Sequence, residues 1–197
     1  LFKVINGVLY FILYDRYGTG RDEVWRSDGT QEGTFPITEE IDGNRGNDEL
    51  SQYIVYNNKL YFVSRHHLYS TDGTFENTEI IAPVWNAQLD LVEYSDVIEI
   101  NNKLYFLFFS ADTRQLSIWE SDGSSENTME IYTTSSFQDF YASNLSSSGN
   151  SLIFTASNEN GGVSLFSLNL TDYSATDLGE LTDSFEYAIA FETYVKS

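Results

Sequence analysis

Four copies of one short pattern run through this chain, and an internal repeat constrains a fold more than any single motif does. "NGVLYF" at residues 6–11, "NNKLYF" at 57–62, "NNKLYF" at 101–106 and "GNSLIF" at 149–154 share it. Their anchor leucines, Leu9, Leu60, Leu104 and Leu152, lie 51, 44 and 48 residues apart. This is the period expected of propeller blades rather than of helical hairpins.

Local signals inside each copy are those of strands. An apolar segment precedes the Asn-Gly or Asn-Asn pair and an aromatic run follows it; Asn and Gly tolerate the positive φ that a two-residue hairpin turn requires. A third apolar segment comes next ("DEVWRS", "HLYST", "LSIWES", "VSLFSL"), and a fourth lies beyond a repeated loop ("TFPITEE", "TEIIAP", "TMEIYT", "ATDLGE"). Runs such as "KLYFLFF" are apolar at both alternating sets of positions. Both sheet faces should therefore be covered, as when blades pack face to face around an axis. The expected fold is all-β: a β-propeller or propeller fragment of four blade-like, four-stranded antiparallel repeats in a single repeat domain, 1–197. The repeats fall near 1–46, 47–92, 93–138 and 139–184. Residues 185–197, "FEYAIAFETYVKS", read as the first strand of a further blade or as a closing strand. The best helical candidate, "NAQLDLVEY" at 86–94, lies between copies and fits an ordered loop equally well.

Trp25, Tyr69, Trp119 and Phe166 occupy one equivalent point of the third strand, and structural anchoring explains them. The loop that follows reads D-G-[ST]-x-E-[GN]-T in three copies. Asp28, Asp72 and Asp122 suit acceptance of backbone N–H groups two residues on, while Gly29, Gly73 and Gly123 supply unusual backbone angles. The slot held by Gly33, Asn77 and Asn127 is expected to be a left-handed backbone position, because Gly and Asn enter that region most easily. A cation site formed by the Asp and Glu of each loop is the functional alternative; repetition in every regular copy favours a structural joint. The fourth copy, "SLNLTDYSATDL", keeps the strands and has lost the motif, as a joint rebuilt by another turn would.

Chemistry is sparse by comparison. The chain has 10 basic and 30 acidic residues, a net charge of −20, and such a surface repels phosphate backbones and anionic headgroups, so no nucleic-acid partner and no direct membrane insertion are expected. There is no cysteine, hence no disulfide framework or thiolate chemistry. The first residues, "LFKVINGVLYF", lack the basic start and cleavage site of a signal peptide, which fits a mature piece or an excised fragment. No G-x-S-x-G, P-loop or H-E-x-x-H pattern occurs. His66 and His67 are adjacent, so in a strand they point to opposite faces and are read as ordinary histidines. No cofactor is expected beyond calcium at "DGNRGNDE", where Asp42, Asn44, Asp48 and Glu49 come within reach of one hard cation. The spacing departs from an EF-hand loop, and a plain interblade loop is the preferred reading of that segment.

The stretch "EVWRSDGTQEGT" at 23–34, with "LYSTDGTFENT" and "IWESDGSSENT" further on, closely resembles the ELWxxDGT repeat of large bacterial surface and secreted proteins. The resemblance is clear in three copies and weak in the fourth. It implies a propeller-like repeat domain at the cell exterior, associated with adhesion or with the surface adhesins of gliding bacteria. The turn also looks like the Asp-box of sialidase-type propellers, where it is structural. The function expected is a non-catalytic extracellular binding or scaffolding module, with a surface glycan, a protein or neighbouring domains of the same long chain as partner. A polysaccharide-active propeller enzyme and a passive spacer are the alternatives. In a four-stranded meander the first and third connections share one end of the sheet, and here these are the short repeated turns. The second connections and interblade linkers share the other end and vary freely, which is where binding specificity is usually placed. Tyr17, Arg21, Trp85, Asn86, Arg114 and Phe137 in those loops are the binding candidates, aromatic rings to stack and Arg or Asn to direct hydrogen bonds. For Trp85 and Phe137, plugging a seam between blades is an equal alternative.

Overall fold

The computed structural model describes residues 2–14, 22–37, 50–64, 67–83, 92–110, 115–134, 145–157 and 162–181, and among them every regular element is a strand. Sheet 1 holds β1 (Phe2–Ile5), β2 (Val8–Tyr14), β3 (Asp22–Ser27) and β4 (Phe35–Pro36). Sheet 2 holds β5 (Leu50–Tyr56), β6 (Lys59–Ser64), β7 (His67–Thr71) and β8 (Glu79–Pro83). Sheet 3 holds β9 (Val92–Ile100), β10 (Lys103–Ser110), β11 (Gln115–Ser121) and β12 (Met129–Thr133). Sheet 4 holds β13 (Ser146–Ser148), β14 (Ser151–Ser157), β15 (Val163–Asn169) and β16 (Ala175–Glu180). Each is an antiparallel meander in chain order. The helical candidate at 86–94 runs into β9 from Val92 onward, and its earlier residues lie outside the described ones.

Hairpin turns sit where the Asn and Gly pairs do. Asn6 and Gly7, Asn57 and Asn58, and Asn101 and Asn102 all have positive φ, between 48° and 82°. A turn with positive φ at both central residues matches the right-handed twist of the strands it joins.

Register is the same in all four sheets. Phe11 faces Trp25, Phe62 faces Tyr69, Phe106 faces Trp119 and Phe154 faces Phe166. The rings stack at 6.2, 5.2 and 5.6 Å in sheets 1, 2 and 4, so the third-strand aromatics are anchors with a fixed partner one strand over. Sheets 2, 3 and 4 also share a register shift just before that aromatic, leaving Ile81, Ile131 and Leu178 as extra residues on the fourth strand. Such a bulge turns one added side chain out of the pleat and increases the local twist.

Three seams hold the sheets together, each made by consecutive sheets. Tyr10, Val24 and Ile37 of the first repeat pack on Leu60, Phe62 and Tyr69. Tyr56, Tyr61, Leu68 and Ile81 pack on Leu104, Phe106 and Phe108. Tyr105, Leu107, Leu116 and Ile118 pack on Leu152, Phe154, Ala156 and Leu168. In sheets 2 and 3 the two sets of alternating positions on the second strand thus serve opposite seams, which is why "KLYFLFF" is apolar on both faces. Burial of one such ring is worth roughly 2–3 kcal/mol. β5 and β9 meet across the second seam, placing first strands on the inner edge of the arrangement.

Candidate functional site

Each repeated D-G turn is closed by its own hydrogen bonds. Asp28 Oδ1 accepts from the Thr30 N–H at 2.9 Å and the Thr30 hydroxyl at 2.7 Å; Asp72 does the same with Thr74, and Asp122 with Ser124. The Thr that ends the motif donates back to the main chain at 2.6–2.7 Å in all three copies. It also meets the Ser or Thr before the Asp, as in the 2.8 Å contact of Thr71 with Thr78. The glycine after the Asp carries the unusual angle, φ 90° at Gly29 and Gly73 and 95° at Gly123.

The expectation for the Gly33, Asn77 and Asn127 slot is overturned. None of the three has positive φ. Asn77 and Asn127 are there for their side chains, whose Nδ2 groups donate to the second oxygen of Asp72 at 2.9 Å and of Asp122 at 2.7 Å. In the first copy the Asp28 carboxylate fills that place instead, and a Cβ at Gly33 would lie 2.0 Å from its Oδ1. The carboxyls are held below their ordinary range accordingly. For Asp122 and Asp28 the neighbouring hydroxyl leads and the N–H follows; for Asp72 burial pushes upward and the bonds from Thr74 and Asn77 outweigh it. In the fourth copy Asp172 accepts from Ser174 N and Oγ at 3.0 and 2.6 Å, and Tyr173 takes the positive φ, 57°. The lost motif is rebuilt from the same chemistry with a different residue order.

Polar groups in the seams were not singled out by the sequence, although the tyrosine after the anchor leucine recurs in three copies. The Tyr10 hydroxyl donates to Asp72 O at 2.7 Å and the Tyr61 hydroxyl to Gly123 O at 3.2 Å, each joining one sheet to the D-G turn of the next. Arg26 Nη1 adds a bond to Gly73 O at 3.1 Å, and Tyr56 one to Asn102 O at 2.7 Å. Burial first, then nearby Tyr56, Glu79 and Asp122, pushes the Tyr61 phenol up to about 12. The third seam differs because its turn is rebuilt. There the buried Glu120 accepts from Lys103, from the Tyr105 hydroxyl at 2.9 Å and from the Tyr173 hydroxyl at 3.4 Å. Burial and the bond to Glu120 raise the Tyr105 phenol. On the inner strand β9, Asp96 accepts the Leu145 N–H at 2.5 Å and the Val97 N–H at 2.8 Å, and burial pushes its carboxyl up against those bonds. With both oxygens occupied by main-chain donors, Asp96 serves as a clamp between sheets 3 and 4.

The strand ends opposite the D-G turns are the frame for the binding candidates. Tyr14, Asp22, Ser110, Gln115 and the interblade ends Pro36, Leu50, Pro83, Val92, Thr133 and Ser146 all lie at that end of their meanders. Tyr17, Arg21, Trp85, Asn86, Arg114 and Phe137 lie outside the described residues, as do Asp42, Asn44, Asp48, Glu49 and His66. Among the described residues no group of three or more His, Asp and Glu side chains is placed to hold a metal ion.

Comparison with known proteins establishes the architecture. The chain resembles solved β-propeller structures. TolB from Acinetobacter baumannii is 16% identical with a TM-score of 0.51, over 88% of this chain and 42% of that one. A Mycobacterium tuberculosis puromycin-hydrolyzing peptidase is 12% identical at TM-score 0.55, over 92% and 28%. An oligogalacturonate lyase from Vibrio parahaemolyticus is 14% identical at 0.52, over 85% and 45%. This is a β-propeller fold. The chain spans less than half the length of each of these three, and the likeness concerns fold alone. No protein-family model matches the chain, and no curated protein matches it in sequence.

Proposed function

We propose that this propeller is a non-catalytic binding or scaffolding module of a bacterial surface or secreted protein, taking a glycan or protein ligand at the end of its sheets opposite the D-G turns. The observation that carries the reading is the self-containment of the repeated end. Its carboxylates, hydroxyls and Asn amides bond one another, and its outward carbonyls receive tyrosines of the neighbouring sheet. A face that spends its polar groups internally is a joint, and the variable connections at the other end are free to differ between copies. The resemblance of the turns to the ELWxxDGT repeat supports a place at the cell exterior and a role in adhesion, gliding included.

Tyr17, Arg21, Trp85, Asn86, Arg114 and Phe137 are the contact residues in this reading, and the 42–49 segment is a plain interblade loop, with calcium held by Asp42, Asn44, Asp48 and Glu49 as its alternative. A glycan array and a pull-down from surface extracts, run with the native chain, Trp85→Ala, Arg21→Ala and Asp72→Asn, test it. Loss of binding in the first two variants at unchanged melting temperature supports the assignment. Binding that responds only to Asp72→Asn overturns it. A polysaccharide-active enzyme is the second reading, and Asp96 is the observation in its favour, a carboxyl on the inner strand raised by burial. Turnover on a glycan panel that Asp96→Asn abolishes would place that reading first.

A further inference from the structure

The face of sheet 1 that points away from sheet 2 presents Phe2, Val4, Leu9, Phe11, Leu13 and Trp25 on one side of the pleat. Phe2 is 72% exposed, Val4 67% and Leu13 46%. Equivalent positions in the other sheets are seam surface: Leu60 and Phe62 are covered by sheet 1, Leu104 and Phe106 by sheet 2, Leu152 and Phe154 by sheet 3. The same substitution of covered by open holds at the turn. A Cβ at Gly73 would lie 2.2 Å from the Tyr10 hydroxyl and one at Gly123 2.5 Å from that of Tyr61, whereas a Cβ at Gly29 meets no atom of the described residues within 4 Å. Gly29 and Gly73 have the same φ, 90°. The first repeat therefore carries the complete receiving half of a seam, ring face and tyrosine socket together.

We infer that this face docks one more blade of the same repeat, joined ahead of β1, whose second strand carries a tyrosine that donates to the carbonyls of the Asp28-Gly29 turn. The three seams set the direction, since in each of them the preceding sheet in chain order covers the Leu and Phe of the following one. They also argue against the fourth sheet of a second copy as occupant. Sheet 4 has Ile153 where the donating tyrosine stands in sheets 1 and 2, and its outward positions include Ser146, Ser148, Ser151, Thr155 and Ser167. An isologous pairing of two copies through sheet 1 would bring two receiving halves together and leave both turns without a donor. The inference stands apart from the ligand-binding reading, because it concerns the opposite set of residues.

A chain extended by a copy of residues 47–95 ahead of Leu1 tests it, a fusion that keeps the 44-residue spacing found between Leu60 and Leu104. A second extension, copying residues 93–143, guards against a fusion that fails to fold. Both are labelled with 5-fluorotryptophan, and the ¹⁹F line of Trp25, assigned with Trp25→Phe, is read for broadening by a soluble paramagnetic agent. The expected result is a several-fold protection of Trp25 in an extended chain relative to the 197-residue chain, with a raised melting temperature. In the 197-residue chain Gly29→Ala should cost less melting temperature than Gly73→Ala. In the 47–95 extension the two losses should converge, and Tyr61→Phe in the added copy alone should lower the gain. Trp25 equally accessible in both extensions overturns the inference. So does a concentration-dependent dimer of the 197-residue chain that already protects Trp25, since the occupant would then be a second copy.

Discussion

Asn77 and Asn127 show that a position shared by Gly and Asn need not be about backbone freedom. Their amides complete a carboxylate that already accepts a hydroxyl and an N–H, and Asn127→Ala should cost about 1 kcal/mol, the ordinary worth of one such bond, in urea unfolding. The lowered carboxyls also set a pH dependence. Asp72 and Asp122 have folded pKa values below 3.8. Their contribution is complete above the unfolded value, roughly 3.9, and is lost as the pH falls through the lowered folded value. Asp96 acts with the opposite sign. Its raised carboxyl binds more proton in the folded state, so its contribution declines as the pH rises from the unfolded value through the raised one. Carboxyl NMR titration should place Asp122 below and Asp96 above 3.8. Asp122→Asn should flatten the loss of stability as the pH falls below about 4.

At the scale of the element, one bulge repeats with different consequences. Ile81 is 3% exposed and Leu178 54%, because the former points into the second seam and the latter faces no sheet among the described residues. The same logic ranks the second-strand phenylalanines. Phe62 is fully covered, and Phe62→Ala should cost about 3–5 kcal/mol; Phe11→Ala, on the open face, should cost well under half of that, measured by the same denaturant melts. Tyr61→Phe removes one hydroxyl bond across the second seam and should cost about 1 kcal/mol. Glu120→Ala leaves Lys103, Tyr105 and Tyr173 without their acceptor. A loss of about 2–4 kcal/mol is expected from stranding several donors at a buried site.

The whole molecule divides by direction. Along the strands, one end is a set of closed turns and the other a set of variable connections; around the arrangement, sheets 1, 2 and 3 each turn a tyrosine face to the next sheet, which receives it on a Leu and Phe face. The ligand and the neighbouring blade proposed above would take different surfaces. If they contact the ligand as proposed, Trp85→Ala and Arg21→Ala should weaken ligand binding and leave melting temperature nearly unchanged. A seam plug at Trp85 would instead lower the melting temperature whatever the ligand. Calcium titration by calorimetry should give no heat and leave the melting temperature unchanged, as a plain loop at 42–49 requires; heat that Asp42→Asn with Asp48→Asn removes would make that segment a calcium site.

Strand positions, hairpin turns and the Asp-to-N–H bond of the D-G turn were legible in the chain because each depends on residues adjacent or a few places apart. A two-residue turn, a period of two and an Asx hydrogen bond are local physics, and repetition averaged out their exceptions. Local patterns could not say which tyrosine meets which turn. Tyr10 and Asp72 are 62 residues apart, Asp96 and Leu145 49, Tyr173 and Glu120 53. The Glu120 cluster arises only because a rebuilt turn brings Tyr173 against the third sheet, a meeting that neither segment encodes alone. The openness of sheet 1 is likewise invisible in "NGVLYF", which reads like its covered counterparts. Side-chain identity determined what each face is suited to touch, and the stacking order of the sheets decided which faces are touched.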